Sequence, residues 1–277
     1  MLHRIKNVLK RNGKRFGLYP KDRFALICHQ RSGSNMLGSI IGNHPDVVYY
    51  GQLYKDTPDH RKRLDALAGM KLPIEPLGNS MEQRDRFYQA DGPQTPDRGA
   101  GKYTEQFFER AHARRPERYV GIKFHGATLY ESEIRDLYMG GRSKVILLHR
   151  KNLLAAAISW YQAREIDQWR RNKDEKVEQP TLRMEVERLQ WFMDNTRRDV
   201  ALWQHLIQDT GTKALELTYE DVSDDPVRYG RQVFDYLGLR SLPDARPQTK
   251  KLIKTYDHIE NIEQIRRTLA NSTNGIV

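Results

Sequence analysis

The sequence predicts an α/β fold: three layers, with a central, mostly parallel sheet flanked by helices. Two observations predict it. Short apolar runs at 24–28, 47–49, 119–124, 144–148 and 214–217 are continuous rather than alternating, the pattern of strands buried on both faces. Segments with helical apolar spacing separate these runs, and strands that alternate with helices pair in parallel through crossovers. A chain of 277 residues is long enough to bury one core of this kind.

Residues 1–20 read as a basic, weakly amphipathic arm, with Leu2, Ile5, Val8 and Leu9 set among Arg4, Lys6, Lys10 and Arg11. The arm lacks the continuous apolar stretch of a secretory signal, so the expected compartment is the cytoplasm. An arm of this composition is also suited to peripheral contact with an anionic membrane surface. Residues 21–277 read as a single domain. The strand at 24–28 passes through a polar turn into a helix at 35–41, which His44-Pro45 stops before the strand at 47–49. Residues 53–117, rich in Lys, Arg, Asp, Gly and Pro, read as a helical and loop insertion over one edge of the core. Strands at 119–124 and 144–148 follow, then helices at 152–169 and 181–208. A strand at 214–217 precedes a helix from Pro226 to Leu237 that Gly238 stops, and a last helix lies near 259–269.

The formal charge of +11 favours an anionic partner: nucleic acid, acidic headgroups or a phosphorylated small molecule. Nucleic acid is not expected, because such binding interleaves basic residues with exposed aromatics, whereas the aromatics here fall in helical core patterns. Cys28 is the only cysteine, which excludes an intramolecular disulfide and a Cys-rich zinc site; it reads as a small core residue. No apolar run reaches the roughly 18–20 residues of a membrane span.

Two segments carry chemistry. The first runs from His29 through Gln30, Arg31, Ser32, Gly33, Ser34 and Asn35 to Leu37, between a buried strand and a helix. A turn in that position aims backbone N–H groups and the positive end of a helix dipole at one point. Gly33 permits close approach, Ser32 and Ser34 add hydroxyls, and Arg31 adds a cation, all suited to a phosphate; the plainer reading is a strand–helix turn with Ser34 as N-cap. It is not a magnesium-nucleotide loop, which needs G-x-x-x-x-G-K-[ST] and an acid ending a neighbouring strand. Here the strand at 144–148 ends in His149-Arg150, and no metal is expected. The second segment is that ending: Arg150 leaves the strand, and Ser159 lies about two and a half turns along the next helix. If the strands neighbour each other, cation and hydroxyl share one phosphate at the same sheet edge.

Together these segments resemble the two donor-binding elements of sulfotransferases, which use 3′-phosphoadenosine-5′-phosphosulfate (PAPS) and release adenosine 3′,5′-bisphosphate. The resemblance implies a P-loop-like arrangement of the sheet, with Arg31, Ser32, Gly33, Ser34 and Asn35 around the 5′-phosphosulfate and Arg150 with Ser159 around the 3′-phosphate. The stretch from Ser159-Trp160 to Arg164 and Trp169 is similar to bacterial carbohydrate sulfotransferases of the trehalose and nodulation lipo-oligosaccharide type. So are Leu217-Thr-Tyr-Glu-Asp-Val222, Asp225-Pro226 and Tyr236-Leu-Gly-Leu239. It implies a carbohydrate, glycolipid or small hydroxylated metabolite as acceptor, near Gln52 and Trp169. In the trehalose-type enzymes a glutamate follows a glycine after the first helix; here Gln52 follows Gly51, and an amide takes no proton at neutral pH. The expected base is therefore His125, in a Lys-x-His strand ending similar to that of the cytosolic aryl and steroid enzymes, with Lys123 beside it and Arg31 stabilising charge. His29 and His44 are weaker candidates. Glu220 and Asp221 read as caps of the helix that follows, and Lys250, Lys251 and Lys254 as a solvated face. The competing functions are a nucleotide-dependent kinase and a basic nucleic-acid or membrane-surface protein.

Overall fold

Five strands form the sheet that the apolar runs predict: β1 Asp22–Cys28, β2 Val47–Gln52, β3 Tyr119–His125, β4 Lys144–His149 and β5 Ala214–Thr218. Their order is β2-β3-β1-β4-β5, and every neighbouring pair is parallel. The computed structural model describes residues 22–53, 58–69, 100–125, 132–139, 141, 143–166, 180–242, 247 and 256–269. The N-terminal arm therefore lies outside the described residues.

The continuous apolar character of β1 follows from burial on both faces. Ala25 and Ile27 join Val120, Ile122, Phe124, Val145 and Leu147 on one face. Phe24, Leu26 and Cys28 join Tyr119, Ile146, Leu148 and Leu217 on the other. The first face is covered by α2 Pro58–Ala68, α3 Ala100–Arg114 and α4 Ser132–Met139, with Trp203 from the long helix α6 Val186–Asp209. The second is covered by α1 Ser34–Gly42 and α8 Pro226–Leu237. These are the three layers. A further cluster packs α5 Leu153–Glu165 against α6 and α9 Ile262–Leu269 through Trp160, Phe192 and Ile265. The short helix α7 Tyr219–Asp224 links β5 to α8. Gly238 ends α8 with φ 68, as its stop signal predicts.

Three local differences from the sequence reading have identifiable causes. The strand read at 47–49 continues to Gln52 because the ladder shifts between Tyr49 and Gly51, and Gly51 takes φ 88, open to glycine alone at low cost. The helix read from 181 begins at Val186. Before it, Leu182 pairs with His258 and Glu260, and the Asn261 side chain holds both backbone groups of Met184, so the backbone bonds that a helix would use are already taken. Within the segment read as an insertion, α3 is the crossover helix between β2 and β3. It buries Tyr103, Phe107, Phe108 and Ala111 against the sheet, while residues 70–99 lie outside the described residues.

The topology singles out one candidate place for a ligand. After β1 the chain runs to β2 at one edge, and after β4 it runs to β5 at the other. Adjacent strands whose connections leave in opposite directions open a crevice at their carboxyl ends. That crevice lies between the turn after β1 and the Arg150 that follows β4. Among the described residues, no helix is long and apolar enough to cross a membrane.

Candidate active site

The turn after β1 is wound tight by two left-handed residues, Arg31 with φ 62 and Gly33 with φ 82. Gly33 is the N-cap of α1, its carbonyl accepting from Met36 and Leu37, and no side chain caps the helix. Ser34 is thus the first helical residue rather than the cap. A helix start with no side-chain cap leaves its first N–H groups pointing out along the dipole, ready for an anion. A side chain at position 33 is excluded twice: by the positive φ, and by the ring of Tyr219, which fills the place of a Cβ.

The two serines of the turn do different work. Ser32 is 2% exposed and donates its hydroxyl to the carbonyl of His29 at 2.8 Å, so it closes the turn and offers a ligand its backbone rather than its side chain. Ser34 instead accepts from Lys123 Nζ at 3.4 Å, and the same ammonium reaches Asn35 Oδ1 at 3.3 Å. Lys123 and His125 lie on β3 on the α1 side of the sheet, because Ile122 and Phe124 between them face the opposite cluster. His125 is 8% exposed and registers opposite Cys28. Gln52, at the end of β2, registers opposite Lys123. The strand order thus brings Gln52, Lys123 and His125 to the same edge as the turn.

Arg150 and Ser159 join this turn directly. Arg150 donates from Nη1 to the carbonyl of Arg31 at 3.3 Å, and Arg31 Nε donates to Ser159 Oγ at 2.9 Å. Ser159 is 3% exposed on α5. The Arg150 guanidinium stacks on the Tyr219 ring, 4.3 Å from its centroid, and its Nε is buried without a hydrogen-bond partner, 3.8 Å from Glu220 Oε1. Desolvation lowers the pKa of Arg150, with Tyr219 and Glu220 opposing the shift; a guanidinium stays cationic at neutral pH regardless. Three cations, Arg31, Lys123 and Arg150, therefore converge on one helix start.

Two contributors were missed in the sequence. Glu220 does not cap the helix after it: its two carboxylate oxygens accept from the N–H groups of Lys151 and Asn152, each at 3.0 Å, at the start of α5. Asn152 completes that start by accepting from Ala155 N at 2.8 Å. Asp221 accepts from the Thr218 hydroxyl at 2.6 Å, and Asp225 caps α8 through Arg228 N. Tyr219 meanwhile touches both segments, Gly33 on one and Arg150 on the other. The available signal was an aromatic–acid pair directly after a strand, uninterpretable without knowing that β5 neighbours β4.

The second is a buried anchor under the turn. His29 is 1% exposed; its Nε2 lies 3.2 Å from Asp199 Oδ2, its Nδ1 is paired with Thr196 Oγ1 at 3.2 Å, and its ring meets Phe192 edge-on. Thr196 and Asp199 sit three residues apart on α6, so this network ties the turn to that helix. Replacing Asp199 with alanine leaves a buried imidazole nitrogen facing a cavity and is expected to cost about 3 kcal/mol of stability. Urea unfolding reads this as a lower midpoint at constant slope, and a loss below about 1 kcal/mol would make the network dispensable. His44 is a structural histidine, with Nε2 on the carbonyl of Arg240 and Nδ1 accepting from Asp46 N. Trp169, Lys250, Lys251 and Lys254 lie outside the described residues.

An open cleft of about 820 Å³ lies at the opposite end of the sheet, lined by Asp22, Glu105, His112 and Lys144 among others, and shares no residue with this network. Comparison with known proteins places the chain among sulfotransferases. Residues 24–244 match the model of the Sulfotransferase family, a span that contains every residue of the network. The chain is 23% identical over 267 residues to nodulation protein H of Rhizobium meliloti (strain 1021), covering 91% of this chain and 93% of that protein. Among solved structures, the sulfotransferase from Alicyclobacillus acidocaldarius aligns over 92% of each chain at 19% identity, with a TM-score of 0.48. The sulfotransferase domain of the Synechococcus PCC 7002 olefin synthase aligns at 17% identity, over 94% of this chain and 90% of that one, with a TM-score of 0.43.

Proposed function

The chain belongs to the sulfotransferase family, and from that premise we propose that it moves a sulfuryl group from PAPS to a hydroxyl of a carbohydrate, glycolipid or small hydroxylated metabolite by in-line displacement. One observation carries the choice of donor: the Arg31 turn and the Arg150–Ser159 element, 128 residues apart between Arg31 and Ser159, meet side by side at the sheet's crevice. Two anion-binding elements in contact suit a donor phosphorylated at two places better than a single phosphate ester.

The residues fit such a donor. The buried Nε of Arg150 lacks a hydrogen-bond partner, and the uncapped start of α1 is closed to any side chain at Gly33. Arg150 and Ser159 would hold the 3′-phosphate, and Arg31 with the 32–35 backbone and the Ser34 hydroxyl the 5′-phosphosulfate. The donor, when bound, supplies a sulfuryl group on a phosphate leaving group. The chain's own part is positioning, charge neutralisation and proton removal. Arg31 sets a fixed cation against the transferring oxygens, and Lys123 adds a second from β3. His125 takes the proton from the acceptor hydroxyl, and Gln52 orients that hydroxyl through its amide. The acceptor class follows from the resemblance to bacterial carbohydrate sulfotransferases, and the basic arm at 1–20 suits an acceptor displayed on an anionic membrane.

Thermal stabilisation tests the reading. Adenosine 3′,5′-bisphosphate at a hundredfold over its dissociation constant is expected to add about 2.7 kcal/mol of stability, seen as a raised melting temperature. A clear shift with ATP and magnesium, alongside none with the bisphosphate, would replace sulfuryl transfer by a kinase-like reaction.

A further inference from the structure

The two helix starts that flank the crevice are finished in opposite ways. The start of α1 has no side-chain cap, whereas the start of α5 is held by two side chains. Asn152 accepts from Ala155 N at 2.8 Å, and the two carboxylate oxygens of Glu220 accept from the N–H groups of Lys151 and Asn152, each at 3.0 Å. A carboxylate so placed already occupies the positive end of the α5 dipole, as a bound anion would. Glu220 belongs to α7, directly after β5, so the brace crosses from one strand end to the next. The residue just before the braced N–H groups is Arg150. Its Nε lies 3.8 Å from Glu220 Oε1, the oxygen that holds Asn152, and its guanidinium lies over the ring of Tyr219, 4.3 Å from the centroid. Oε1 is thus nearer to the backbone than to the guanidinium, and the carboxylate serves the turn more than it serves an ion pair.

We propose that Glu220 is a positioning residue for the 3′-phosphate: by clamping the backbone of Lys151 and Asn152 it fixes the turn from which Arg150 reaches the crevice, and so sets the preference for nucleotides that carry a 3′-phosphate. The inference rests on the donor reading above and adds a residue that meets no phosphate itself. An arginine free to turn about its side-chain bonds loses that freedom when a phosphate fixes it, and a guanidinium already set in place loses less. Tyr219 and Glu220 are consecutive, so one short segment supplies both the surface under the guanidinium and the clamp behind it. A carboxylate beside a phosphate subsite would otherwise repel its ligand. Here the two N–H groups at the start of α5 offset that charge.

The test compares the affinities of adenosine 3′,5′-bisphosphate and adenosine 5′-phosphate, by calorimetric titration of the full chain well below its melting temperature. Glu220→Ala is expected to weaken the bisphosphate about tenfold and the monophosphate less than about twofold, the scale of one or two lost hydrogen bonds to a charged group. Glu220→Gln keeps an accepting oxygen without the charge, and is expected to stay within about threefold of wild type for both nucleotides. In an Arg150→Ala background, Glu220→Ala is expected to cost the bisphosphate less than about twofold, because a residue that acts through Arg150 has nothing left to position. Equal weakening of both nucleotides, or the full loss persisting in the Arg150→Ala background, reduces Glu220 to a general brace of the fold and overturns the inference. Tighter bisphosphate binding by Glu220→Gln overturns it too, since the carboxylate then competes with the phosphate. A wild-type chain with no preference for the bisphosphate over the monophosphate overturns the donor reading itself, so the two failures are distinguishable.

Discussion

Replacing His125 with alanine is expected to lower turnover on the order of 10²–10⁴-fold, the usual contribution of a positioned general base. Binding of adenosine 3′,5′-bisphosphate is expected to stay within about twofold of wild type, because the ring contacts the Cys28 sulfur and belongs to neither phosphate element. The separation of the two readouts is what identifies a base. A residue that shapes the donor site lowers both, and one that only fills space lowers neither. Steady-state turnover with a saturating acceptor, beside calorimetric titration with the bisphosphate, measures each. Turnover within about threefold of wild type would move the search to Lys123 and the neighbourhood of Gln52. It would not move it to His44 or His29, whose ring nitrogens already serve Arg240, Asp46, Thr196 and Asp199.

The second large effect is expected at Arg150. Its guanidinium is held by the Arg31 carbonyl, the Tyr219 ring and the Glu220 carboxylate, and its Nε still has a proton to give. Arg150→Ala is expected to weaken adenosine 3′,5′-bisphosphate by about 3 kcal/mol, roughly two orders of magnitude, the scale of a lost charge-assisted pair with phosphate. Adenosine 5′-phosphate, which lacks the 3′-phosphate, is expected to lose far less. Arg150→Lys should recover only part, since an ammonium neither stacks as a plane on Tyr219 nor offers two parallel donors. Equal losses for both nucleotides would mean that Arg150 acts by holding the turn through the Arg31 carbonyl rather than by meeting a phosphate. A melting curve for each variant separates these effects from unfolding.

Much of the frame was readable because it is written locally. A strand buried on both faces must be continuously apolar, so the run at 24–28 located β1, and its neighbours were found in the same way. Gly33 after a buried strand announced a turn that only glycine makes at φ 82, and Gly238 marked the end of α8 for the same reason. The polar residues next to those signals, Arg31, Ser34, Arg150 and Ser159, were therefore nameable in advance. Three local readings missed where a distant group supplied what the sequence lacked. Asn261 holds Met184 extended where the periodicity suggested helix, the ladder shift carries β2 past Gly51 to Gln52, and α3 belongs to the core although its surroundings read as an insertion.

By itself, then, the sequence determined the layers, the turn and the identity of the cations, since apolar period and turn chemistry depend on residues a few positions apart. Only the tertiary structure decided which cations meet. The nearness of Arg150 to Arg31 required β4 to lie beside β1, and that of His125 required β3 on its other side; strand order is a property of the whole packed sheet and leaves no local mark. The same holds for Tyr219, which fills the space beneath Gly33, and for Glu220, which holds the start of a helix nearly seventy residues before it.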